Sequence, residues 1–423
     1  MVGGNIKMHI VFVTVELATA HNSSGGLASY TANMARIFTS YGHKVTILLA
    51  STKEEKLQFD DNIALIKTYI RKDLWNVFDR IAKVCTFYNT KKSTELRKFF
   101  LSIYKSTQVR NQIDCLQRQE KIDIIHYCNL DSVAFRAGRQ IPYVIRISSF
   151  LNMCNGANSY EGNIEYRKNK LSIKDKLSNY TIKRSRYVIS PSKLLAEVGQ
   201  KELGIRPAIL ESPFVLNNYN WNYDIYNLRL SGKKYIVHFG SLKYLKGTHI
   251  VAQIANDFLQ MHTDFYLVMA GNSEYLLDEN GNKVHAHELV KKSAGEFSER
   301  VIYVGRLVRE QLYPIIQGAQ VCLLPSRIDN LPNTCIEAMA LGNVVIGTRG
   351  ASFEQLIVDR VSGYLCERDN SKSYLEALNE ALNMDTTSRI QMVSKAKERV
   401  RLLSPDVIYK NYLEFYKQVI QEW

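Results

Sequence analysis

The sequence predicts an α/β protein built from two doubly wound halves. Three observations predict it: short apolar, β-branched runs alternate with helical stretches; a glycine pair, Gly25-Gly26, separates the first run from the first helix; and the alternation lapses between about Ile205 and Gly232, then restarts. Domain bounds of 1–212 and 213–404 follow, with a C-terminal helix at 405–423 joining the first domain.

In order, His9–Val15 is a buried strand by length and β-branched content, and a loop through His21 and Gly25-Gly26 leads to a helix over Ala28–Ser40. Glycines there let backbone approach a ligand, although the G-x-G-x-x-G fingerprint is absent. Lys44–Leu49 is the second strand. Ile122–Tyr127 is another, with His126 at its carboxyl end, where ligands of open α/β sheets sit, and Arg146 in Tyr143–Ile147 is a second polar group at that edge. Tyr187–Ser190 is a strand, and Ser192 caps the helix Lys193–Leu203. The second half repeats the pattern: strands at Lys234–Phe239, Phe265–Gly271, Val301–Arg306, Val321–Leu324 and Val344–Thr348, with helices at Thr248–Leu259 and Gln311–Gln317 between them. The last helices span Ser371–Arg401 and Pro405–Trp423; the second is Tyr-rich and amphipathic, so it should dock on a domain.

Composition narrows the class. With 423 residues, 46% hydrophobic and 23% charged, the chain can bury two cores and is not broadly disordered. Its seven cysteines contain no C-x-x-C pair, which fits reduced core residues of a cytoplasmic protein better than a disulfide frame or a zinc site. The N-terminus has no signal-peptide pattern, and no apolar run approaches the roughly 18 residues of a membrane span. The expectation is a soluble protein, at most peripheral to the cytoplasmic face of a membrane. All of the formal charge of +14 falls in residues 1–204, which hold 31 Lys+Arg against 17 Asp+Glu. It concentrates in Arg71–Arg110 and Arg167–Arg186, where aromatic and leucine residues are interleaved. Amphipathic helices with a basic face would favour an anionic lipid surface or a phosphorylated acceptor, and a solvated basic surface with no partner would look the same. No helix-turn-helix, finger or RNA-binding signature supports nucleic acid.

The chemistry gathers in one stretch, Ser326-Arg-Ile-Asp329-Asn330-Leu331-Pro332-Asn333-Thr334-Cys-Ile-Glu337-Ala-Met-Ala-Leu-Gly342. A buried strand feeds a loop, and Pro332 suits the first turn of the helix that follows. The amides of Asn333, Thr334 and Cys335 would be free to meet an anion, helped by the helix dipole. Asp329 precedes the helix and Glu337 lies about one turn inside it. Amides for a diphosphate and carboxylates for sugar and ribose hydroxyls suit a nucleotide-sugar site; a surface loop capping an ordinary helix would read similarly.

Taken in sequence, Gly240-Ser-Leu-x-x-x-Lys246-Gly247, Pro325-Ser326, Asp329-x7-Glu337-Ala-Met-Ala-x-Gly342-x-Val-Val-Ile, Gly350-x-x-x-Glu354 and Gly363 resemble the family-4 retaining glycosyltransferases (glycosyl transferases group 1) of GT-B fold. Gly25-Gly26 and Gly42-His43-x-Val45 resemble that family's N-terminal elements. The resemblance covers most of the chain and is weakest over 50–120 and 150–185. It implies two Rossmann-like domains facing each other across a cleft, the second for the nucleotide diphosphate-sugar and the first for the acceptor. It further implies that Lys246 pairs with the diphosphate, Glu337 with ribose, and Asp329 with the donor sugar. The segment Asn330, Leu331, Asn333 and Thr334 would reach sugar and phosphate, Gly240 and Ser241 would form the phosphate loop, and Gly305-Arg306 would lie near the base. His126 and Gly25-Gly26 would close the site from the acceptor side. Two positions depart from the pattern: Ser241 stands where the family usually has Arg, with Lys243 as a substitute lacking the guanidinium fork, and Asp329 stands where Glu is usual.

The implied activity is transfer of a sugar from a UDP-, GDP- or ADP-sugar to a hydroxyl of a glycan or lipid-linked acceptor, with retention, in cell-surface polysaccharide or glycolipid synthesis. The leaving phosphate can take the acceptor proton, so no separate base is expected. No cofactor beyond the donor is required, and Mg²⁺ enters at most as a stimulant. Base, sugar, acceptor and oligomeric state are not legible. Two rivals stay open: a GT-B nucleotide-sugar epimerase, which would turn over donor without acceptor, and a non-catalytic nucleotide-sugar binder, which Ser241 favours. A glycan phosphorylase would need a pyridoxal-binding lysine motif that is not found.

Overall fold

A computed structural model describes residues 7–18, 25–51, 59–69, 72–158, 171–216 and 220–423. The chain divides into two units, one of Met1–Asn152, Tyr166–Pro213 and Pro405–Trp423, the other of Met153–Glu165 and Phe214–Ser404.

The first unit is a seven-stranded parallel sheet. It starts with β1 (His9–Thr14), α1 (Gly26–Ser40), β2 (Lys44–Ser51) and β3 (Ala64–Tyr69), then two long helices, α2 (Lys72–Cys85) and α3 (Thr90–Gln119). β4 (Ile124–Cys128) and β5 (Tyr143–Arg146) follow, then α4 (Leu151–Ala157), which from Met153 onward belongs to the second unit, and, again in the first, α5 (Ile173–Arg184), β6 (Val188–Ser190), α6 (Lys193–Val198) and β7 (Ala208–Ile209). The order β3-β2-β1-β4-β5-β6-β7 reverses direction between β1 and β4. Such a switch point leaves a crevice at the strands' carboxyl ends. Strands β1 and β4 are buried throughout, which is why they read as unbroken apolar runs. Ser192 caps α6 as expected, its hydroxyl accepting from the Leu195 amide at 3.3 Å.

The second unit begins with α7 (Asp224–Arg229), β8 (Lys234–Phe239), α8 (Thr248–Met261) and β9 (Phe265–Ala270). A hairpin, β10 (Tyr275–Leu277) and β11 (Lys283–His285), leads to α9 (Ala286–Ser293), β12 (Val301–Tyr303), α10 (Arg309–Gly318) and β13 (Val321–Leu324). Then come α11 (Asn333–Ala340), β14 (Val344–Thr348), β15 (Tyr364–Cys366), α12 (Ser371–Leu382) and α13 (Thr386–Arg401). The parallel order β12-β9-β8-β13-β14-β15 places its switch point between β8 and β13. Ser371–Arg401 is two helices where one was expected, because Asp385 caps a fresh start by accepting from the Ser388 amide at 3.0 Å.

The last helix, α14 (Pro405–Glu422), returns to the first unit. Its buried face carries Tyr409, Tyr412 and Tyr416. Tyr409 stacks on Tyr41 with centroids 3.6 Å apart, and its hydroxyl meets His43 Nε2 at 2.9 Å. Each phenol thus buries a ring while its hydroxyl finds a partner.

The basic segments do not form one solvated face. Lys105 is buried and pairs with Asp131, which also takes Lys174 Nζ at 2.8 Å. Arg71, Arg167, Lys168 and Lys170, like His21 in the loop before α1, lie outside the described residues.

Candidate active site

In the second unit, two segments leave the carboxyl ends of β8 and β13 and meet. Gly240, with φ 113°, donates its amide to Ala270 O at 3.0 Å, and a Cβ added there would lie 3.3 Å from Thr334 Cγ2. Backbone packs on backbone here. A Cβ on Gly271 would fall 1.7 Å from Gly240 O, and one on Gly247 1.8 Å from Pro325 O; both glycines also have positive φ. The turn Tyr244–Lys246 between them is held at its centre, where the Leu245 amide donates to Asn158 Oδ1 at 3.0 Å and Leu245 O accepts the Arg327 amide at 2.9 Å.

That turn carries Lys246, whose ammonium pairs with the Asp329 carboxylate. The Asn330 amide donates to Asp329 Oδ1 at 3.0 Å, and the Ser352 hydroxyl donates to Asp329 O at 3.0 Å. Next along the chain, α11 opens toward the same place. Pro332 is the N-cap residue, one position earlier than the first helical turn expected for it, with no side-chain cap. The first amide served by the helix itself is that of Ile336, bonded to Pro332 O at 3.2 Å. The amides of Asn333, Thr334 and Cys335 precede it, at the positive end of the helix dipole.

Glu337 sits deeper in α11 and is 8% exposed. Its Oε1 meets Arg309 Nε at 3.2 Å and accepts from the Tyr313 hydroxyl at 3.4 Å. Burial raises its pKa, opposed by the Arg309 charge and the Tyr313 bond. Behind the pair of strands, His238 bridges Leu323 O at 2.9 Å and Thr248 Oγ1 at 3.0 Å. Burial holds its pKa down at about 4, so the neutral ring donates to the carbonyl through Nδ1 and accepts from the threonine.

Gly240, Lys246, Asp329, Asn330, Asn333 and Thr334 are thus neighbours in the second unit. Ser241 belongs to the same loop. Lys243, the expected substitute for arginine, instead places Nζ 3.3 Å from Glu274 Oε1. Leu331 is buried, and Gly305 accepts the Gly271 amide at 2.8 Å through its carbonyl, with exposed Arg306 next to it. Gly25 and Gly26 belong to the first unit, where Gly25 caps α1 with φ 54°.

His126 requires a correction. It lies inside β4, two residues before the strand's end, and is 3% exposed. Nδ1 accepts from the Tyr416 hydroxyl at 2.7 Å and Nε2 meets the Tyr30 hydroxyl at 3.3 Å. Burial, with the Arg146 charge, lowers its pKa to about 3. A neutral ring with both nitrogens engaged is a core linker between β4, α1 and α14, and this geometry does not offer it to an acceptor.

Sequence reading missed the groups that hold the site. Arg327, 7% exposed, pairs with Asp369 through Nε and Nη2, at 3.0 Å each, and lies over the Tyr244 ring. Tyr244 stacks on His249 at 4.0 Å, and His249 Nε2 meets Asp369 Oδ1 at 3.2 Å. Asp369 is remote in sequence from both, and nothing in its local pattern marks the contact. Arg309 and Tyr313 were within reach of pattern reading: they are i, i+4 on α10, a spacing that puts both on one helix face.

Two parallel doubly wound sheets in one chain, with a glycine loop, a helix terminus and two acids at the second sheet's switch point, define a GT-B protein. The fold-level likeness agrees: a sucrose-phosphate synthase from Thermosynechococcus elongatus superposes with a TM-score of 0.71 at 16% identity, covering 99% of this chain and 100% of that one. Anabaena HepE, solved in complex with UDP, gives 0.63 at 16% identity over 97% of this chain and 100% of that one. Residues 224–399, within the second unit, match the family model of the glycosyl transferases group 1. A D-inositol 3-phosphate glycosyltransferase of Corynebacterium urealyticum is 26% identical over 191 residues, 44% of this chain and 43% of that protein. The chain therefore spans less than half the length of this curated relative.

Proposed function

We propose that the chain is a retaining glycosyltransferase that moves a sugar from a nucleotide diphosphate-sugar to a hydroxyl of a glycan or lipid-linked acceptor. One observation carries this reading: Lys246 and Asp329 are paired beside the uncapped start of α11, where the Gly240 loop touches Thr334. A cation and converging amides suit a diphosphate, and Asp329 next to them suits the hydroxyls of the attached sugar. Glu337, one turn further in, suits ribose.

As the anomeric bond breaks, negative charge grows on the departing diphosphate. Lys246 and the amides of Asn333 and Thr334 stabilise it without reorganising. Lys246 must then turn part of its charge from Asp329 to phosphate. The leaving oxygen takes the acceptor's proton on the same face, so configuration is retained and no side chain serves as base. Calorimetric titration with UDP-, GDP- and ADP-sugars, with and without Mg²⁺, followed by NMR of the product anomer, tests the reading. Binding without transfer to any hydroxyl would favour a non-catalytic binder, and an inverted product would exclude retention.

The acceptor side supports a lipid-linked substrate through one surface. Along α2, Val77, Ile81 and Val84 are exposed on one face. Phe87 and Tyr88 follow in left-handed backbone, with φ 47° and 59°, and Phe87 is 95% exposed. Arg80, Lys91 and Lys92 are exposed beside them. Apolar rings among cations suit an anionic bilayer surface. No helix among the described residues is long and apolar enough to cross a membrane. Sedimentation with vesicles of phosphatidylglycerol should pull the protein down at low salt, and binding that ignored salt would count against the idea.

A further inference from the structure

In the second unit, one residue is tied to both halves of the Lys246–Asp329 pair. Arg327 precedes Asp329 by two positions, and its amide donates to Leu245 O at 2.9 Å, inside the turn that carries Lys246. Its guanidinium is tied on several sides. Nε donates to both oxygens of Asp369 at 3.0 Å, Nη2 meets Asp369 Oδ2 at 3.0 Å, Nη1 donates to Ala157 O at 2.7 Å, and the group lies 4.7 Å from the centroid of the Tyr244 ring. Tyr244 stacks on His249, which meets the same Asp369 carboxylate, so the four side chains form a closed circuit with the turn as one member. The planar fork of arginine suits this, since an ammonium has no second edge to reach carboxylate and carbonyl together.

A second feature comes from chain order. Ala157 and Asn158 belong to Met153–Glu165, the stretch of the first half of the chain that joins the second unit. Ala157 O accepts from Arg327, and Asn158 Oδ1 accepts the Leu245 amide at 3.0 Å, so Leu245 is held through both its amide and its carbonyl. Burial pushes up the pKa of the Cys154 thiol in that stretch, with Asp329 adding to the rise and Lys246 and Lys243 opposing it, which sets the stretch beside the pair. Asp369 is itself held in left-handed backbone, φ 56°, which a residue other than glycine keeps only where its surroundings impose it. A cation that must meet growing phosphate charge is effective when its backbone is already in place, because no reorganisation is then needed.

We propose that Asn158 and Arg327 are positioning residues that hold the Tyr244–Lys246 turn, and through it the Lys246 ammonium, in place beside Asp329 for the donor's diphosphate. Both act through Lys246. The diphosphate rests on the function proposed above, whereas the clamp stands on contacts within the second unit. The grip on the donor thereby depends on a stretch of chain outside residues 224–399, the part that matches the family model.

The full chain is tested in two arms. Hydrogen exchange of the Leu245 amide in the free protein should speed up at least roughly tenfold in Asn158→Ala and stay slow in Asn158→Asp, which keeps an oxygen for that amide. Calorimetric titration then uses UDP, GDP and ADP. The affinity of whichever binds the wild type best should fall roughly fivefold in Asn158→Ala, the worth of one hydrogen bond, and at least about tenfold in Arg327→Lys, which keeps the charge and loses the fork. In a Lys246→Ala background both losses should shrink to within about twofold, because residues acting through one group are not additive. If Arg327→Lys fails to fold, the exposed Asn158 decides. An unchanged Leu245 amide in Asn158→Ala would overturn the clamp. A faster amide with unchanged affinity, or equal losses with and without Lys246, would reduce both residues to fold stability and overturn the positioning role. A wild type that binds none of the three nucleotides would sink the activity proposed above, and with it the diphosphate, while the exchange arm still decides whether the clamp exists.

Discussion

Replacing Lys246 by alanine tests the donor grip most directly. The side chain is 27% exposed and its partner Asp329 17%, so the pair is neither dry nor fully solvated. At an effective dielectric near 20, opposite unit charges about 4 Å apart interact by roughly 4 kcal/mol, and partial screening reduces this to about 3 kcal/mol. A similar loss of transition-state stabilisation lowers turnover by roughly 10²-fold. Removing the ammonium also leaves Asp329 facing the diphosphate alone. Donor affinity should therefore fall in Lys246→Ala and recover in part when Asp329→Asn is added, while turnover stays low in the double variant. The assay is steady-state release of nucleoside diphosphate alongside calorimetric binding of the same donor. A Lys246→Ala enzyme working at full rate would refute the argument, as would a double variant that bound donor no better than the single.

Three further outcomes follow from the geometry. Gly271→Ala places a methyl 1.7 Å from Gly240 O at a φ of 140° and should cost about 3 kcal/mol or more, read from urea denaturation. Because burial raises the Glu337 pKa, the folded state holds a proton that the unfolded state has released just above the ordinary value of 4.5; stability due to this group falls as pH rises through that window, and Glu337→Gln should flatten the fall while weakening nucleotide binding. His126 behaves in the opposite sense: with its pKa lowered from 6.5 to about 3, the unfolded state takes up the proton first, so its contribution is complete above 6.5 and is lost as pH falls toward 3. His126→Phe should remove that acid sensitivity in pH-dependent unfolding and, if the ring is a core linker, leave donor affinity unchanged.

The course of both sheets was legible because buried parallel strands are unbroken apolar runs, as in Phe12–Val13 or Val321–Leu324, and sheet geometry then puts glycine loops at their carboxyl ends. Ala64–Tyr69 escaped notice because an edge strand mixes Lys67 and Thr68 into its run, and the β10–β11 hairpin because each strand has only three residues. His126 was misplaced by pattern reading, which cannot tell the end of a strand from its last two buried positions.

Sequence alone determined which residues could carry the chemistry: Lys246, Asp329 and Glu337 stand in local contexts of loop, turn and helix start whose backbone tendencies act over a few residues. Only tertiary structure decided what those charges meet. The ties of Arg309 to Glu337, Asp369 to Arg327 and Arg146 to Ser212 each join positions far apart in the chain, and such distances are set by how the layers pack. Whether a charge is paired, spare or buried is a property of that packing.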